Sequence, residues 1–417
     1  MGDPVSLFIY GSTLPKTLLL PSFYSASFFP SAFLLALLFV GIPLIGKEVD
    51  DPVGIKQFKP TKLRPYYDYI IIGGGSAGCV IANRLSENPN YSVLLLDAGG
   101  DGTYLSDIPG AVGALYGNPY LDWSYKTEPE ANACLAMNDR KCSWHRGKSI
   151  GGTSTINGML YVRGAKEDYD EWSRLGNKAW SYEDVLPFFK LSEGNKNKVV
   201  KYGNLGHRII YITIKNHFVT NALNTLLDNQ NKRYAENTRF HSTGGLLTVS
   251  DIRYKTPLSD AFLEAAYSLG YQIGDINAET SFRFTHQQAT IKDGKRDSTS
   301  KAFLKPALRR QNLDVILEAH VIKILFDKYK RSRGVLFSRH NKKYVAKTKE
   351  EIILSAGTIG SPHILMHSGI GPYYHLKGNL NMKKCRPWNN TMKSIILSNW
   401  NIKSVSFFYR NGNSCDS

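Results

Sequence analysis

The pattern of apolar and polar positions is clearest between residues 69 and 97. Residues 69–72 form an apolar, β-branched run that ends in glycines, which predicts a buried parallel strand. Apolar residues then recur at helical spacing, so we predict a helix that begins at Ser76 and stops before Pro89. A second apolar run at 92–96 predicts another strand, which ends at Asp97. The stretch therefore predicts a strand–helix–strand unit of a parallel sheet.

The rest of the chain alternates further helices and strands. We predict helices over 168–172 and 182–189, one between Thr256 and Gly270, and one that opens at Ser361 and stops at Gly369. Strands are predicted at 244–250, 313–318, 321–327, 334–338, 344–346 and 351–356. The helix after Thr256 is predicted to carry five apolar residues on one face: Leu258, Ala261, Phe262, Ala265 and Leu269.

The turn between the first strand and the first helix carries Gly73, Gly75 and Gly78 at G-x-G-x-x-G spacing. These positions suit a tight turn, close approach of a pyrophosphate, and close packing of helix on strand. The free N–H groups and the dipole of the helix start form an anion site. Asp97, at the end of the second strand, is placed to accept hydrogen bonds from a ribose hydroxyl. We predict a dinucleotide site; the alternative is a purely structural βαβ unit.

A second stretch rich in glycine and basic residues spans 144–164. Its many donors and exposed main-chain amides indicate contact with a polyanionic or electron-rich ligand. The sequence Gly147-Lys148-Ser149 invites comparison with a phosphate-binding P-loop. That alternative fails because Cys142 occupies the position of the glycine that should open the loop.

Composition adds two points. The 417-residue chain is 42% hydrophobic and 21% charged, as in globular proteins, but its net charge is +17. The basic residues are dispersed and no nucleic-acid motif accompanies them, so a solvated basic surface is favoured over a nucleic-acid site. The five cysteines show no metal-ligand spacing. We expect Cys79 to be buried and inert, while Cys134 and Cys142 could form a disulfide in an oxidising compartment.

The N-terminal part has no charged residue between Thr17 and Gly46 and is strongly apolar over 32–45. It predicts a signal peptide or a signal-anchor over 1–46, and thus entry into the secretory pathway, with cleavage left open. Residues 47–67 are predicted to be a linker. Residues 195–240 lose coherent pattern and form a divergent segment, and the texture changes again over 373–417, a tail unlike the rest.

Three blocks of this sequence resemble the glucose–methanol–choline (GMC) oxidoreductases, and most closely their secreted insect-type glucose dehydrogenase branch. The glycine turn followed by Asn83-Arg84-Leu85 is the first block. The second runs from Arg146 to Gly164 and the third from Gly357 to Gly371, and both are similar to long signatures of that family. The resemblance implies an α/β fold. It has a Rossmann-like FAD-binding domain over 68–190 and 244–372, and an inserted, incomplete antiparallel-sheet substrate domain.

The resemblance also implies FAD, rather than NAD, as the cofactor. The adenosine ribose would lie at Asp97, where the family usually has Glu, and Val321 would contact the adenine through its main chain. A core strand residue is the alternative interpretation of Val321. The full predicted set of cofactor-binding residues is Gly73, Gly75, Ser76, Ala77, Gly78, Asp97, Ala98, Arg146, Gly147, Gly151, Thr153, Asn157, Gly158, Met159, Leu160 and Val321.

The implied activity is oxidation of the CH–OH group of a small alcohol or sugar, with electrons passed to an unknown acceptor. The catalytic histidine of the family lies in a C-terminal motif that this sequence does not contain. We therefore assign no catalytic residue and expect poor turnover. His363 and His367 are weaker candidates for a replacement base, and the favoured alternative is that they are surface histidines of a helix. The alternative function is that of a non-catalytic secreted flavin-binding or interaction protein. Neither a metal nor a nucleic-acid partner is expected, whereas a membrane anchor stays open.

Overall fold

A computed structural model describes residues 63–129, 131–196, 239–252, 254–371 and 376. The predicted signal or anchor segment lies outside these residues, as do most of the linker, most of the divergent segment at 195–240 and nearly all of the tail at 373–417. None of the helices in the described ranges combines the length and the apolar composition that crossing a lipid bilayer requires.

The described part of the chain begins with the predicted strand–helix–strand unit. The strands, in chain order, are β1 Tyr67–Ile72, β2 Val93–Leu96, β3 Tyr125–Lys126, β4 Ser143–Trp144, β5 Glu193–Asn195, β6 Leu247–Asp251, β7 Gln288–Ala289, β8 Ile291–Lys292, β9 Lys295–Arg296, β10 Leu313–Ile316, β11 His320–Phe326, β12 Ser332–Arg339 and β13 Lys342–Leu354. The α-helices are α1 Ser76–Leu85, α2 Tyr104–Asp107, α3 Val112–Leu115, α4 Lys166–Arg174, α5 Tyr182–Ser192, α6 Pro257–Ser268, α7 Lys305–Ala307 and α8 Gly357–His367.

The main sheet has six strands in the order β10-β2-β1-β13-β12-β11. Strands β10, β2, β1 and β13 are parallel neighbours, with Ile70 opposite both Leu94 and Ile352. Strands β13, β12 and β11 form an antiparallel meander. Apolar side chains on both faces of β1 and β2 are buried, which explains why these strands show continuous apolar runs rather than alternation. The α/β, Rossmann-like fold class is confirmed.

Strand β13 differs from the prediction, because residues 344–346 and 351–356 were expected to form two strands. The structure has a single strand, Lys342–Leu354, that leaves the meander and enters the parallel sheet. The charged residues around Thr348 hide this continuity in the sequence. Thr348 nevertheless points inward, is buried, and donates its Oγ1 hydroxyl to the carbonyl oxygen of Asp68 at 2.9 Å. A threonine whose hydroxyl is hydrogen-bonded thus occupies an inward position where an apolar residue would be expected.

Helix α1 packs on the parallel sheet through its buried face. Cys79 and Ala82 contact a core that contains Leu95 and Phe303. Cys79 is a free, buried thiol, and burial raises its pKa to about 12, so it is unreactive as expected. The second cysteine prediction also holds, since Cys134 and Cys142 form a disulfide.

Strands β5, β6 and β7 form a smaller, three-stranded sheet. In it β5 and β6 are parallel, and β6 and β7 are antiparallel. Helix α6 has the predicted boundaries but a different orientation. Its buried side chains are Leu263 and Ala266, which pack with Ile273. The predicted apolar face of Leu258, Ala261, Phe262, Ala265 and Leu269 is exposed.

Candidate functional site

The turn after β1 lies at the carboxyl end of the parallel strands, where α/β folds bind their ligands. Gly73 has φ of +97°, and a Cβ there would lie 2.6 Å from Cα of Ala356. A Cβ on Gly78 would lie 1.9 Å from the carbonyl oxygen of Gly73. Only glycine fits at both positions, so the spacing seen in the sequence reflects close packing of the turn against α1 and against the end of β13.

Helix α1 presents an uncapped N-terminus at this turn. Gly75 is its N-cap, no side chain caps the helix, and Ser76 and Ala77 are exposed. The first N–H groups of a helix have no intrahelical acceptors and carry the positive end of the helix dipole. The helix start therefore has the uncapped, exposed geometry on which the predicted anion site depends, and anion binding there stays a prediction.

Asp97 lies at the end of β2, as predicted, and its carboxylate is buried. Its Oδ2 accepts a hydrogen bond from N–H of Gly74 at 2.7 Å, and its Oδ1 accepts one from N–H of Gly99 at 2.8 Å. Burial raises the pKa of Asp97, while these two hydrogen bonds oppose the rise. The carboxylate thus fastens the glycine turn to the loop after β2. The role of Asp97 as a ribose ligand stays a prediction. Each carboxylate oxygen accepts only one of these two hydrogen bonds, so each could accept a further one from a ribose hydroxyl.

The second glycine-rich stretch folds directly against the first. The N–H of Gly151 donates to the carbonyl oxygen of Gly74 at 2.7 Å, and a Cβ on Gly152 would lie 2.7 Å from Cα of Gly75. The N–H of Ile150 donates to the carbonyl oxygen of Gly100 at 2.9 Å. Three loops that are distant in sequence therefore meet at one edge of the sheet. The predicted residues in this constellation are Gly73, Gly75, Ser76, Ala77, Gly78, Asp97, Ala98, Gly147, Gly151 and Thr153.

Arg146 is held next to these loops by residues that sequence reasoning missed. The buried carboxylate of Asp122 accepts hydrogen bonds from N–H of Arg146, Gly117 and Ser124, at 3.0, 2.8 and 2.9 Å. Its Oδ2 also lies 2.6 Å from Nδ1 of His145. Despite burial, these hydrogen bonds lower the pKa of Asp122 to about 2. The only sequence signal was that His145 lies inside the basic stretch at 144–164, since no motif marks Asp122.

Asn157 is fixed by a second residue that the sequence analysis did not single out. Arg296, at the end of β9, donates from Nη1 to the main-chain oxygen of Asn157 at 2.7 Å and to its Oδ1 at 2.9 Å. The sequence signal for a buried role of Arg296 was weak, because a lone arginine after a glycine turn is common on protein surfaces. Its complete burial is a property of the tertiary structure.

The remaining predicted contacts lie farther along the chain. Gly158 and Leu160 are exposed, while the carbonyl oxygen of Met159 accepts a hydrogen bond from N–H of Thr290 at 2.8 Å, at the end of β7. This segment thus joins the glycine loops to the smaller sheet. Val321 is buried in the core and pairs with Phe337. The core interpretation of its side chain holds, and the adenine contact of its main chain stays a prediction.

The two histidines considered as replacement bases lie on the exposed side of α8. Their Nε2 atoms are 3.1 Å apart. Burial and the neighbouring histidines lower the pKa of His363. The two rings interact with each other, and their role as bases stays a prediction. Among the described residues, no group of three or more His, Cys, Asp or Glu side chains could hold a metal ion.

The sheet order, the glycine turn and the interlocked loops define a Rossmann-like α/β protein. Comparison with known proteins gives the family: this chain belongs to the GMC oxidoreductases, whose family model matches residues 67–385. It is 40% identical over 328 residues to glucose dehydrogenase [FAD, quinone] of Drosophila melanogaster, a match covering 78% of this chain and 47% of the relative. Alcohol dehydrogenase [acceptor] of Pseudomonas putida is 35% identical over 315 residues, which cover 75% of this chain and 50% of the relative.

Comparison with solved structures supports the same family assignment. Pyridoxine 4-oxidase from Mesorbium loti superposes with a TM-score of 0.62 at 29% sequence identity, over 75% of this chain and 53% of that one. An FAD-dependent oxidoreductase from Chaetomium thermophilum superposes with a TM-score of 0.60 at 28% identity, over 75% and 49%. This chain therefore spans about half the length of the relatives it matches.

Proposed function

We propose that this chain binds FAD and serves an oxidoreductase reaction on the CH–OH group of a small alcohol or sugar, with electrons passing to a separate acceptor. The relatives that support this proposal are named as FAD- or acceptor-dependent dehydrogenases of glucose and alcohols.

One observation carries the proposal: two glycine-rich loops interlock over the uncapped N-terminus of α1. A Cβ on Gly75 would meet only Cα of Gly152, at 3.8 Å, so the side of this turn away from Gly152 is open. Open glycine backbone beside free helix N–H groups is the donor arrangement that a pyrophosphate needs. The residues present therefore fit FAD, and FAD would supply the acceptance of a hydride from the substrate carbon.

Each loop has a defined part in holding the cofactor. The N–H groups at Ser76 and Ala77 would bind the pyrophosphate, and the carboxylate of Asp97 would accept a hydrogen bond from the adenosine ribose. Asp122 holds the main chain of Arg146, and the guanidinium, which donates to the carbonyl oxygen of His145 at 2.7 Å, would add a positive charge near these loops. Asn157, fixed by Arg296, would bound the flavin end of the site. No residue in the described ranges is assigned as the general base.

Titration with FAD tests cofactor binding. Gly75 has φ of −76°, which alanine also adopts, and a Cβ there makes only ordinary contact with Gly152. We expect Gly75→Ala to fold normally and to weaken FAD binding at least about tenfold, because the methyl group displaces the pyrophosphate. Gly113→Ala is the matched control, since a Cβ there meets nothing within 4 Å. Wild-type affinity in Gly75→Ala, measured by quenching of flavin fluorescence, would place the cofactor elsewhere.

Anaerobic reduction of the FAD-loaded chain tests turnover. Because no described residue is assigned as base, we expect glucose or a simple alcohol to bleach the flavin absorbance slowly, about 10²–10⁴-fold below a base-assisted reaction. Fast bleaching would reveal a base that the described residues do not identify. No bleaching by any donor, with FAD bound tightly, would favour a non-catalytic flavin-binding protein.

We also propose that the chain enters the secretory pathway. The uncharged, apolar segment before Gly46 supports this, and so does the disulfide between Cys134 and Cys142, since such bonds persist in oxidising compartments. Expression in eukaryotic cells with and without residues 1–46 tests the proposal. Chain found in the medium or the membrane fraction only when 1–46 is present supports it, whereas equal cytosolic recovery of both forms contradicts it. The two positive fractions distinguish a cleaved signal from an anchor.

A further inference from the structure

Arg296 is the largest fully buried side chain in the described part of the structure, with 1% of its surface exposed. Its Nε donates to the carbonyl oxygen of Ser106 at 2.7 Å. Its Nη1 donates to the carbonyl oxygen of Ser154 at 3.1 Å, in addition to its bonds to both oxygens of Asn157. All these acceptors are uncharged, so the hydrogen bonds hold the guanidinium without neutralising it.

No carboxylate in the described part of the chain forms an ion pair with Arg296, and the strongest influence through space is that of the Tyr116 side chain. The carboxylate of Asp107 influences it through space, but that carboxylate forms an ion pair with Lys301. The Nη2 group of Arg296 is buried and has no hydrogen-bond acceptor among the described residues. Burial lowers the pKa of Arg296 to about 10, which leaves it protonated at neutral pH. Burial of a cation with an unpaired donor costs stability, which indicates that the arrangement is kept for a function.

The residues that follow Arg296 in the chain contact the same glycine-rich loop, around Gly151 and Ser154. The N–H of Thr299 donates to Oγ of Ser154 at 3.1 Å, and the Oγ1 of Thr299 lies 3.0 Å from that hydroxyl. A Cβ on Gly151 would lie 2.9 Å from Oγ of Ser300. The segment from Arg296 to Ser300 therefore packs against the buried side of the glycine loop. The open side of the turn at Gly75 faces away from this segment.

We propose that Arg296 is a positioning residue of the flavin site, which fixes the turn between Ser154 and Asn157 and keeps an unneutralised positive charge against it. The proposal rests on the FAD binding proposed above. A fixed positive charge favours the more negative, reduced form of a flavin over the oxidised form. Arg296 should therefore raise both the affinity for FAD and the reduction potential of the bound flavin.

The test compares Arg296→Gln, which removes the charge, with Arg296→Lys, which keeps it. The FAD dissociation constant, the flavin midpoint potential and thermal unfolding without cofactor are measured for each. We expect Arg296→Gln to bind FAD about tenfold more weakly and to lower the potential by about 30 mV, a tenfold change in relative affinity for the reduced form. Arg296→Lys should keep the potential near that of the wild type and weaken binding less. Arg310→Lys is the matched control, because Arg310 also binds a main-chain carbonyl, that of Asn83, away from this loop.

Each possible result of these measurements either supports or overturns the proposal. An unchanged potential in a folded Arg296→Gln overturns the electrostatic role, and a loss of thermal stability alone, with FAD affinity unchanged, overturns the positioning role. If Arg296→Gln does not fold, Arg296→Lys decides: weaker FAD binding at wild-type stability supports the proposal, and wild-type binding refutes it. Failure of the wild-type chain to bind FAD would instead refute the proposed function, which keeps the two failures distinct.

Discussion

The N–H of Gly151 donates to the carbonyl oxygen of Gly74 at 2.7 Å, and this hydrogen bond joins two loops that are 77 positions apart in the chain (151 − 74). Gly152 completes the contact, because its backbone lies against Gly75. The interlock decides where a ligand can lie, since it closes one side of the turn before α1 and leaves the other side open.

Replacement of Gly152 by alanine tests the interlock. Gly152 has φ of +56°, and its added Cβ would lie 2.7 Å from Cα of Gly75. Gly176 also has positive φ, +95°, but a Cβ there meets nothing within 4 Å. We expect Gly176→Ala to cost about 1 kcal/mol of stability through backbone strain alone. Gly152→Ala should cost more and should also weaken FAD binding, as measured by chemical unfolding and flavin titration. Equal effects of the two variants on both measurements would contradict the interlock.

Asp122 gives a second prediction, because its carboxylate accepts hydrogen bonds from the main-chain N–H groups of Arg146, Gly117 and Ser124. In Asp122→Asn an amide NH₂ group would face some of these donors, so we expect a loss of about 1–3 kcal/mol and weaker FAD binding. Urea unfolding and FAD titration measure these effects. Asp139→Asn, in the exposed loop between β3 and β4, is the control and should change neither. Wild-type stability in Asp122→Asn would show that water satisfies these donors.

His241 predicts a pH-dependent stability. Its Nδ1 lies 2.8 Å from Oε1 of Glu193, and its Nε2 lies 2.6 Å from Oδ2 of Asp275. The guanidinium of Arg163 pairs with the other oxygen of Glu193. The two carboxylates outweigh the effect of burial and raise the pKa of His241 to about 9. The protonated ring therefore stabilises the fold fully below its unfolded pKa of about 6.5, and this contribution is lost as pH rises through about 9.

The expected size of that contribution is on the order of 3 kcal/mol. The unfolding midpoint temperature, measured from about pH 6 to about pH 10, should fall across this window in the wild type. His241→Gln should be less stable at low pH and should show a flatter profile. His340→Gln, a change of an exposed histidine, should keep the wild-type profile. A flat wild-type profile would mean that His241 is neutral in the folded chain.

The disulfide between Cys134 and Cys142 gives the last prediction. The hairpin of β3 and β4 leads directly to His145 and Arg146, so the bridge restrains the strand that positions them. For a loop closed over a sequence separation of 8, reduction should cost about 2–3 kcal/mol. Thermal unfolding with and without a reductant measures this. The double variant Cys134→Ser/Cys142→Ser should have the stability of the reduced chain and no response to reductant. A wild type insensitive to reductant would show that the hairpin is held without the bridge.

The local elements of this chain were largely predictable. The strand–helix–strand unit was predictable from apolar spacing, because β1 and β2 are short apolar runs and the buried side of α1 carries one polar residue, Asn83. The full length of β13 was not predictable from the sequence. The polar residues around Thr348 look like the end of a strand, and only the pairing with β12 and β1 shows that the strand continues. The orientation of α6 was also missed, because its most apolar face is exposed and a narrower stripe at Leu263 and Ala266 is buried.

The sequence by itself determined the glycine turn, the start of helix α1 and the family resemblance, because these depend on residues that are neighbours in the chain. The tertiary structure decided how the distant loops meet. It brought Gly151 to Gly74, placed Asp122 beneath Arg146 and buried Arg296 beside Asn157. Such contacts depend on chain segments that meet only when the sheet forms, and a hydrogen bond across that distance leaves no periodic pattern in the sequence.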